Sequence, residues 1–256
     1  MSVRPKKRLG QHFLTDANVV RKIVDAVGAP PDAPVVEIGP GTGALTGHLL
    51  DRYPGLVALE VDPEAIAHLK EKLPALDVRV GDVLDVDWGA LAREKGGPLY
   101  VVGNLPYYIT SPILFALLDA RAHVRRAVVM MQREVADRIV AAPNTKAYGV
   151  LSVQLQLLAR PKMLFPVSRN VFFPKPDVES AVVALDFDAP APDVDEAALR
   201  RVIRTAFNQR RKMLRGSLGG LAAEWGHPPP AAFATRRPES LPPEAFVELT
   251  RALLAP

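Results

Sequence analysis

The chain contains no cysteine among its 256 residues, which excludes disulfides, thiolate metal sites and cysteine nucleophiles together. That usage fits a reducing compartment, and the expected location is the cytoplasm. Five histidines are scattered without metal-ligand spacing, so no metal is expected. No apolar run approaches the roughly 20 residues that span a bilayer, which argues against a membrane protein. The opening MSVRPKKRLGQHFL leads into no signal-like apolar core, so no secretion signal is expected. The first twelve residues also lack any acid, carrying only Arg4, Lys6, Lys7 and Arg8 as charges.

With 48% apolar and 23% charged residues the composition is that of a soluble globular protein. The length allows one large domain, or one domain plus an appendage. The net charge of +4 is unevenly spread. From Ala197 onward there are ten Lys/Arg against four Asp/Glu, a net of +6, which leaves the preceding residues at −2. Basic character therefore concentrates at the two ends. Either those ends meet a polyanion, or they are a solvated helix face and a loose tail.

Short apolar runs alternate with helical patterns along most of the chain. Thr15 or Asp16 can cap a helix whose apolar positions are Val19, Val20, Ile23, Val24 and Val27. Strands are expected at 34–39, 55–62, 75–82, 98–104 and 124–132, with a further one at 179–188. Helices are expected between most of them, including 63–73 and 111–118. Strands apolar on both faces and separated by helices imply a Rossmann-like α/β fold, a doubly wound and mainly parallel sheet. The stretch 188–195, DAPAPDVD, reads as a linker. Beyond it the pattern is helical at 197–207, 209–218 and 242–254. The division expected is a catalytic domain over 1–189, with a basic arm at 1–15, and a small all-helical basic domain over 190–256.

The chemistry gathers where strands end. The first long strand runs into Glu37-Ile38-Gly39-Pro40-Gly41-Thr42-Gly43. Glycines at a strand-to-helix turn let the backbone approach a ligand, although tight turns need glycine in any case. The G-x-G-x-G spacing differs from the dinucleotide pattern, and Glu37 would repel a pyrophosphate. A carboxylate there suits a ligand bearing an ammonium group, which points to S-adenosylmethionine. Glu60 ends the next strand about twenty residues on, where an acid accepts ribose hydroxyls. Asp82, followed by Val83, ends the third, where an acid can accept from an adenine amino group.

The fourth strand delivers Asn104-Leu105-Pro106-Tyr107 to the same edge. An exocyclic amine on a base is a poor nucleophile because its lone pair conjugates into the ring. Acceptors placed at its N–H groups draw the nitrogen toward tetrahedral geometry and free that lone pair. The Asn104 side-chain oxygen and the Leu105 carbonyl can supply them, with Pro106 holding the turn rigid. Tyr107 would stack on the base, while Tyr108 reads as a core residue.

Taken in order, GQHFL (10–14), EIGPGTG (37–43), Glu60, GD (81–82), NLPY (104–107) and FFPKPDVESAVV (172–183) resemble the KsgA/RsmA family. These are bacterial 16S rRNA adenine N6,N6-dimethyltransferases of the class I S-adenosylmethionine-dependent fold. The resemblance covers most of the first 190 residues, and the Arg-rich tail is also similar. It implies that His12 and Leu14 contact the cofactor, together with Glu37, Gly39, Gly41, Glu60, Asp82, Val83 and Asn104. Many relatives carry asparagine where His12 stands. It implies that Phe172 or Phe173 forms the second wall of the base pocket. Lys175, in place of a common proline, either meets a phosphate or is a solvated loop residue.

The family's reaction is methyl transfer to N6 of two adjacent adenosines near the 3′ end of 16S rRNA, two methyls each. The partner implied is 16S rRNA within the small ribosomal subunit or its precursor, with the enzyme expected as a monomer. Arg200, Arg201, Arg204, Arg210, Arg211, Lys212 and Arg215 recur at roughly helical spacing and could lie along RNA phosphates. Met213, Leu214 and Leu218 then form that helix's core face. Two alternatives remain open at this point. Erm-type enzymes methylate large-subunit rRNA with the same motif series, and a ribosome-assembly factor could carry methylation as a secondary activity.

Overall fold

Continuous apolar runs without period-2 alternation belong to strands covered on both faces, and the central sheet is built from them. A computed structural model of the protein describes residues 4–6 and 10–255. Lys7 and Arg8 of the expected basic arm lie outside the described residues. The strands are β1 (Phe13–Leu14), β2 (Val35–Ile38), β3 (Val57–Glu60), β4 (Asp77–Val80), β5 (Leu99–Asn104), β6 (Val124–Gln132), β7 (Arg160–Val167), β8 (Phe172–Phe173) and β9 (Ser180–Asp186). Seven form one sheet in the order β4-β3-β2-β5-β6-β9-β7, while β1 and β8 pair separately. Neighbours from β4 to β6 run parallel, and β9 returns antiparallel to β6.

Every residue of β2 and β3 is buried. At the end of β5, Gly103 lies so close to β2 that a Cβ would sit 2.6 Å from the Ile38 carbonyl oxygen. No side chain fits there, so glycine is what allows β5 to carry Asn104 to the sheet edge. Helix α1 (Ala17–Val27) is capped by Asp16, whose side chain accepts from the Asn18 and Val19 amides. It buries Val20, Ile23, Val24 and Val27 and ends at Gly28 in the left-handed region. The remaining helices of the first half are α2 (Thr46–Arg52), α3 (Pro63–Lys72), α4 (Trp88–Glu94), α5 (Thr110–Asp119) and α6 (Arg133–Ile139).

Two compact units emerge, one of residues 1–136 with 162–187, the other of 137–161 with 188–256. The second unit thus includes 137–161, a stretch assigned from the sequence to the catalytic domain. The physical reason is the core of that unit. Tyr148 is fully buried there, donates its hydroxyl to the Leu241 carbonyl and meets the Phe207 ring edge-on. Its helices are α7 (Val150–Leu158), α8 (Glu196–Asn208), α9 (Leu214–Ser217), α10 (Gly219–Trp225), α11 (Ala231–Ala234) and α12 (Pro243–Leu254).

The expected helix at 209–218 is not continuous. Helix α8 stops at Asn208, and the Lys212 amide turns back to the Gln209 carbonyl. Met213 is extended and the Leu214 amide donates to the Arg236 carbonyl. Leu214 and Leu218 are fully buried, whereas Met213 is exposed, contrary to its expected place on a core face. Strand β7 went unread in the sequence because Pro161 and Pro166 interrupt it. It sits at the sheet edge, where a missing N–H is tolerated.

Candidate active site

The parallel register aligns the carboxyl ends of β2, β3 and β5, with Ile38 beside Leu59 on one side and Gly103 on the other. Glu60 lies beside Val80, so Glu60, the Gly39 turn, Asp82 and Asn104 all arrive at one edge. A cleft opens there. Its lining includes all the residues nominated for the cofactor and the turn from Asn104 to Tyr107. The sequence missed Gln11, Phe13 and Tyr108 as further lining.

The glycine turn forms the floor. Gly41 adopts a φ of +57°, and a Cβ there would approach a ring carbon of Phe13 to 2.9 Å. The turn therefore excludes side chains on both conformational and steric grounds. Its amide donates to Glu60 Oε2 at 3.1 Å, while Glu60 Oε1 accepts from the Val61 and Asp62 amides at 2.9 Å each. Three backbone donors thus fix the Glu60 carboxylate at the cleft wall.

Glu37 is almost wholly buried, and its Oε2 has no hydrogen-bond partner among the described residues. Burial pushes its carboxyl up to about 8; the Thr46 hydroxyl opposes this in part, and the Glu60 charge adds to it. An unpaired buried carboxyl beside a second acid is costly unless something cationic arrives. Glu37, Glu60 and Asp82, the last using one oxygen to hold the Leu84 amide at 3.0 Å, thus line the cleft with three acids. The set of acceptors fits S-adenosylmethionine, which carries an ammonium, a sulfonium, ribose hydroxyls and an adenine amine. Among the described residues no group of three metal-ligating side chains occurs.

Asn104 Nδ2 donates to the His12 carbonyl at 2.9 Å. Its Oδ1 has no donor among the described residues, so the amide is oriented with its acceptor unpaired. The Pro106 carbonyl accepts from the Ile109 amide and the Thr110 hydroxyl, which tightens the turn. Tyr107 is held twice. Its hydroxyl lies 2.6 Å from buried Ser180 Oγ, and its ring stacks on His12 with centroids 5.5 Å apart. Burial raises the Tyr107 phenol above its ordinary value against the Ser180 hydrogen bond, with the Glu179 charge adding to the rise. It remains protonated at neutral pH.

Several expectations need correction. Tyr108 is no core residue: it is 59% exposed and lies over Gly10 at the cleft. Phe172 is buried in the hydrophobic core, whereas Phe173 is 66% exposed. Pairing of β1 with β8 explains the split, because Leu14 lies opposite Phe172 and Phe13 opposite Phe173. Of the two phenylalanines, only Phe173 has a ring free to meet a base.

Part of the basic arm is also engaged internally. Lys6 Nζ bonds Asp62 Oδ1 at 2.6 Å, and Gln11 Nε2 bonds Asp62 Oδ2 at 3.0 Å. Asp62 is buried behind Glu60; burial pushes its carboxyl up, but the Lys6, Gln11 and Glu64 hydrogen bonds outweigh that and hold it below the ordinary range.

In the helical unit, Arg210 donates to Glu239 at 2.6 Å and to the Lys146 and Thr145 carbonyls at 2.7 and 2.8 Å. It ties three segments together and is not a free phosphate ligand. Arg201 likewise pairs with Glu224, and Arg200 with Glu196. Arg211, Lys212 and Arg215 are exposed, with no side-chain partner among the described residues.

Comparison with known proteins gives the family and the fold. The family model described as ribosomal RNA adenine dimethylase matches residues 3–225. The chain belongs to the ribosomal RNA adenine dimethylase family. It is 53% identical over 252 residues to ribosomal RNA small subunit methyltransferase A of Salinibacter ruber, covering 98% of this chain and 85% of that protein. The corresponding protein of Leptothrix cholodnii is 44% identical, with 97% and 92% covered. Among solved structures, 23S rRNA methyltransferase ErmE superposes with a TM-score of 0.69 at 28% identity, covering 94% and 99% of the two chains. A dimethyladenosine transferase from Plasmodium falciparum gives 0.79 at 24% identity, covering 93% and 96%, and shares the fold. The fold is that of the class I methyltransferases with a helical C-terminal region. Among the described residues no helix is long and apolar enough to cross a membrane.

Proposed function

We propose that this chain is an S-adenosylmethionine-dependent dimethyltransferase that modifies N6 of two adjacent adenosines near the 3′ end of 16S rRNA. The observation that carries the reading is the oriented Asn104 amide, with Nδ2 held by the His12 carbonyl and Oδ1 unpaired at the cleft. When bound, S-adenosylmethionine supplies an electrophilic methyl group on a sulfonium. Glu37 would hold its ammonium, Glu60 its ribose hydroxyls, and Asp82 with the Val83 backbone its adenine.

The protein's own work is placement. Asn104 Oδ1 and the Leu105 carbonyl accept from the two N6 hydrogens and so favour the tetrahedral nitrogen that attacks. Pro106 stiffens the turn, so the acceptors need no reorganisation. Tyr107 and Phe173 form the walls against which an extruded base stacks. The N6 proton is lost to water after the nitrogen has become cationic, so no side chain need act as general base.

The target assignment rests on relatives of 44–53% identity named for the small subunit, against 28% for ErmE. Arg211, Lys212 and Arg215 supply phosphate contacts, joined by Lys146 and Arg237 on the cleft beside them. Binding to a subunit precursor would also give the protein a part in ribosome biogenesis. The test is to incubate the protein with labelled S-adenosylmethionine and undermethylated small subunits, then map the label. Two dimethylated adenosines near the 3′ end are expected, and label in 23S rRNA or none at all refutes the reading. Asn104→Ala should lower methyl transfer by at least about a hundredfold while the fold and subunit affinity hold. Wild-type rates in that variant would remove the acceptor mechanism.

A further inference from the structure

We propose that His12 is a positioning residue for the target base, one that sets the acceptor amide and both aromatic walls at once. Three contacts meet in this residue. Its carbonyl accepts from Asn104 Nδ2 at 2.9 Å, which leaves Oδ1 as the free end of the amide. Its ring stacks on Tyr107, 27° from parallel. Its Nδ1 lies 2.7 Å from the Pro174 carbonyl, immediately after Phe173. Because a carbonyl can only accept, Nδ1 carries the proton, and the tautomer and ring plane are fixed together.

The neighbouring ladder supports the same linkage. Phe13, next to His12, pairs with Phe173 across β1 and β8. Tyr107 is anchored at its far end by Ser180, so its remaining freedom is rotation of the ring, which the His12 stack opposes. With one face of Tyr107 backed by His12, a base stacks on the opposite face. The short tie from Tyr107 through His12 to Pro174 fixes one wall relative to the backbone that carries the other.

This inference rests on the proposed dimethylation, and its consequence differs between the two transfers. An unmodified adenine presents two N–H groups to the Asn104 and Leu105 acceptors. A monomethylated one presents a single N–H, and so depends more on its aromatic walls for alignment. Loosening those walls should therefore slow the second transfer more than the first. Stacking and hydrogen-bond losses of this kind correspond to about tenfold in rate.

The experiment follows mono- and dimethyladenosine in single-turnover reactions of the full chain with undermethylated small subunits. His12→Ala should slow the second transfer about tenfold relative to the first and accumulate monomethyladenosine, with cofactor and subunit affinities within about twofold of wild type. His12→Phe keeps a ring without the Nδ1 donor, and His12→Asn keeps a donor without the ring. Each should restore part of the second step. Equal slowing of both steps in all three variants would mean a general structural role and overturns the proposal. So does a loss of cofactor affinity that accounts for the rate, which would make His12 a cofactor contact only. An unchanged product ratio overturns it as well. If wild-type protein itself leaves the adenosines unmodified, the proposed function fails, a result distinct from any of these.

Discussion

Replacing Glu37 with glutamine tests the electrostatics of the cleft most directly. In the folded protein burial raises this carboxyl from an ordinary 4.5 to about 8, so between those values the native state holds a proton that the unfolded chain has lost. The stability associated with this group is complete below about pH 4.5 and falls as pH rises through 8. Over that window the loss is on the order of 5 kcal/mol. Glu37→Gln keeps the shape of the protonated acid but cannot ionise, and the Thr46 hydroxyl lies beside it. Denaturant unfolding of the cofactor-free proteins from pH 5 to 9 should therefore show the variant gaining on wild type as pH rises. A cationic ligand reverses the preference by favouring the ionised acid. Binding of S-adenosylmethionine to wild type should release a proton near neutrality and tighten with pH up to about 8. The variant should bind roughly 10- to 100-fold more weakly at pH 8, without proton release. Parallel stability profiles, or equal proton release by the two proteins, would refute the assignment of Glu37 as the titrating group.

Other substitutions separate residues that look equivalent in sequence. Arg210→Ala should destabilise the protein by roughly 2 kcal/mol in denaturant unfolding, because it orphans Glu239 and two carbonyls. The triple reversal of Arg211, Lys212 and Arg215 to glutamate should leave stability within about 0.5 kcal/mol while weakening small-subunit binding and flattening its salt dependence. Phe172→Ala should cost about 3–5 kcal/mol as a core truncation. Phe173→Ala should leave the melting profile nearly unchanged and lower methyl transfer. Gly41→Ala combines a left-handed φ, worth about 1–2 kcal/mol, with a clash against Phe13, and should weaken S-adenosylmethionine binding in calorimetry.

The fold was legible wherever burial leaves a mark on residue type. The runs that became β2, β3 and β5 are apolar on both faces because helices or neighbouring layers cover both, and Asp16 caps α1 through a side chain whose chemistry is local. The edge strand β7 was hidden by its two prolines, which an edge tolerates. The two-residue β1 and β8 are too short to show any period. Among candidate site residues, the acids and glycines at strand ends could be found because parallel topology carries every strand end to one edge. Once the order of strands is settled, Glu37, Glu60, Asp82 and Asn104 have nowhere else to be.

Side-chain partnerships are another matter, because a residue's type states what it can bond and the fold decides what it meets. Arg210 and Arg211 are adjacent and identical, yet only Arg210 reaches Glu239 and the carbonyls of 145 and 146. Phe172 and Phe173 alternate across β8, so a one-residue change in register would exchange core and wall. Tyr107 and Tyr108 diverge in the same way, one bonded to Ser180 and stacked on His12, the other lying open over Gly10. In each pair the deciding partner is distant in sequence: Glu239, β1, Ser180. The basic, aromatic and acceptor classes of residue needed for adenine methylation were readable from the chain. Which member of each pair is left free depends on long-range pairing, and the ladder of β1 with β8 makes that choice for Phe172 and Phe173.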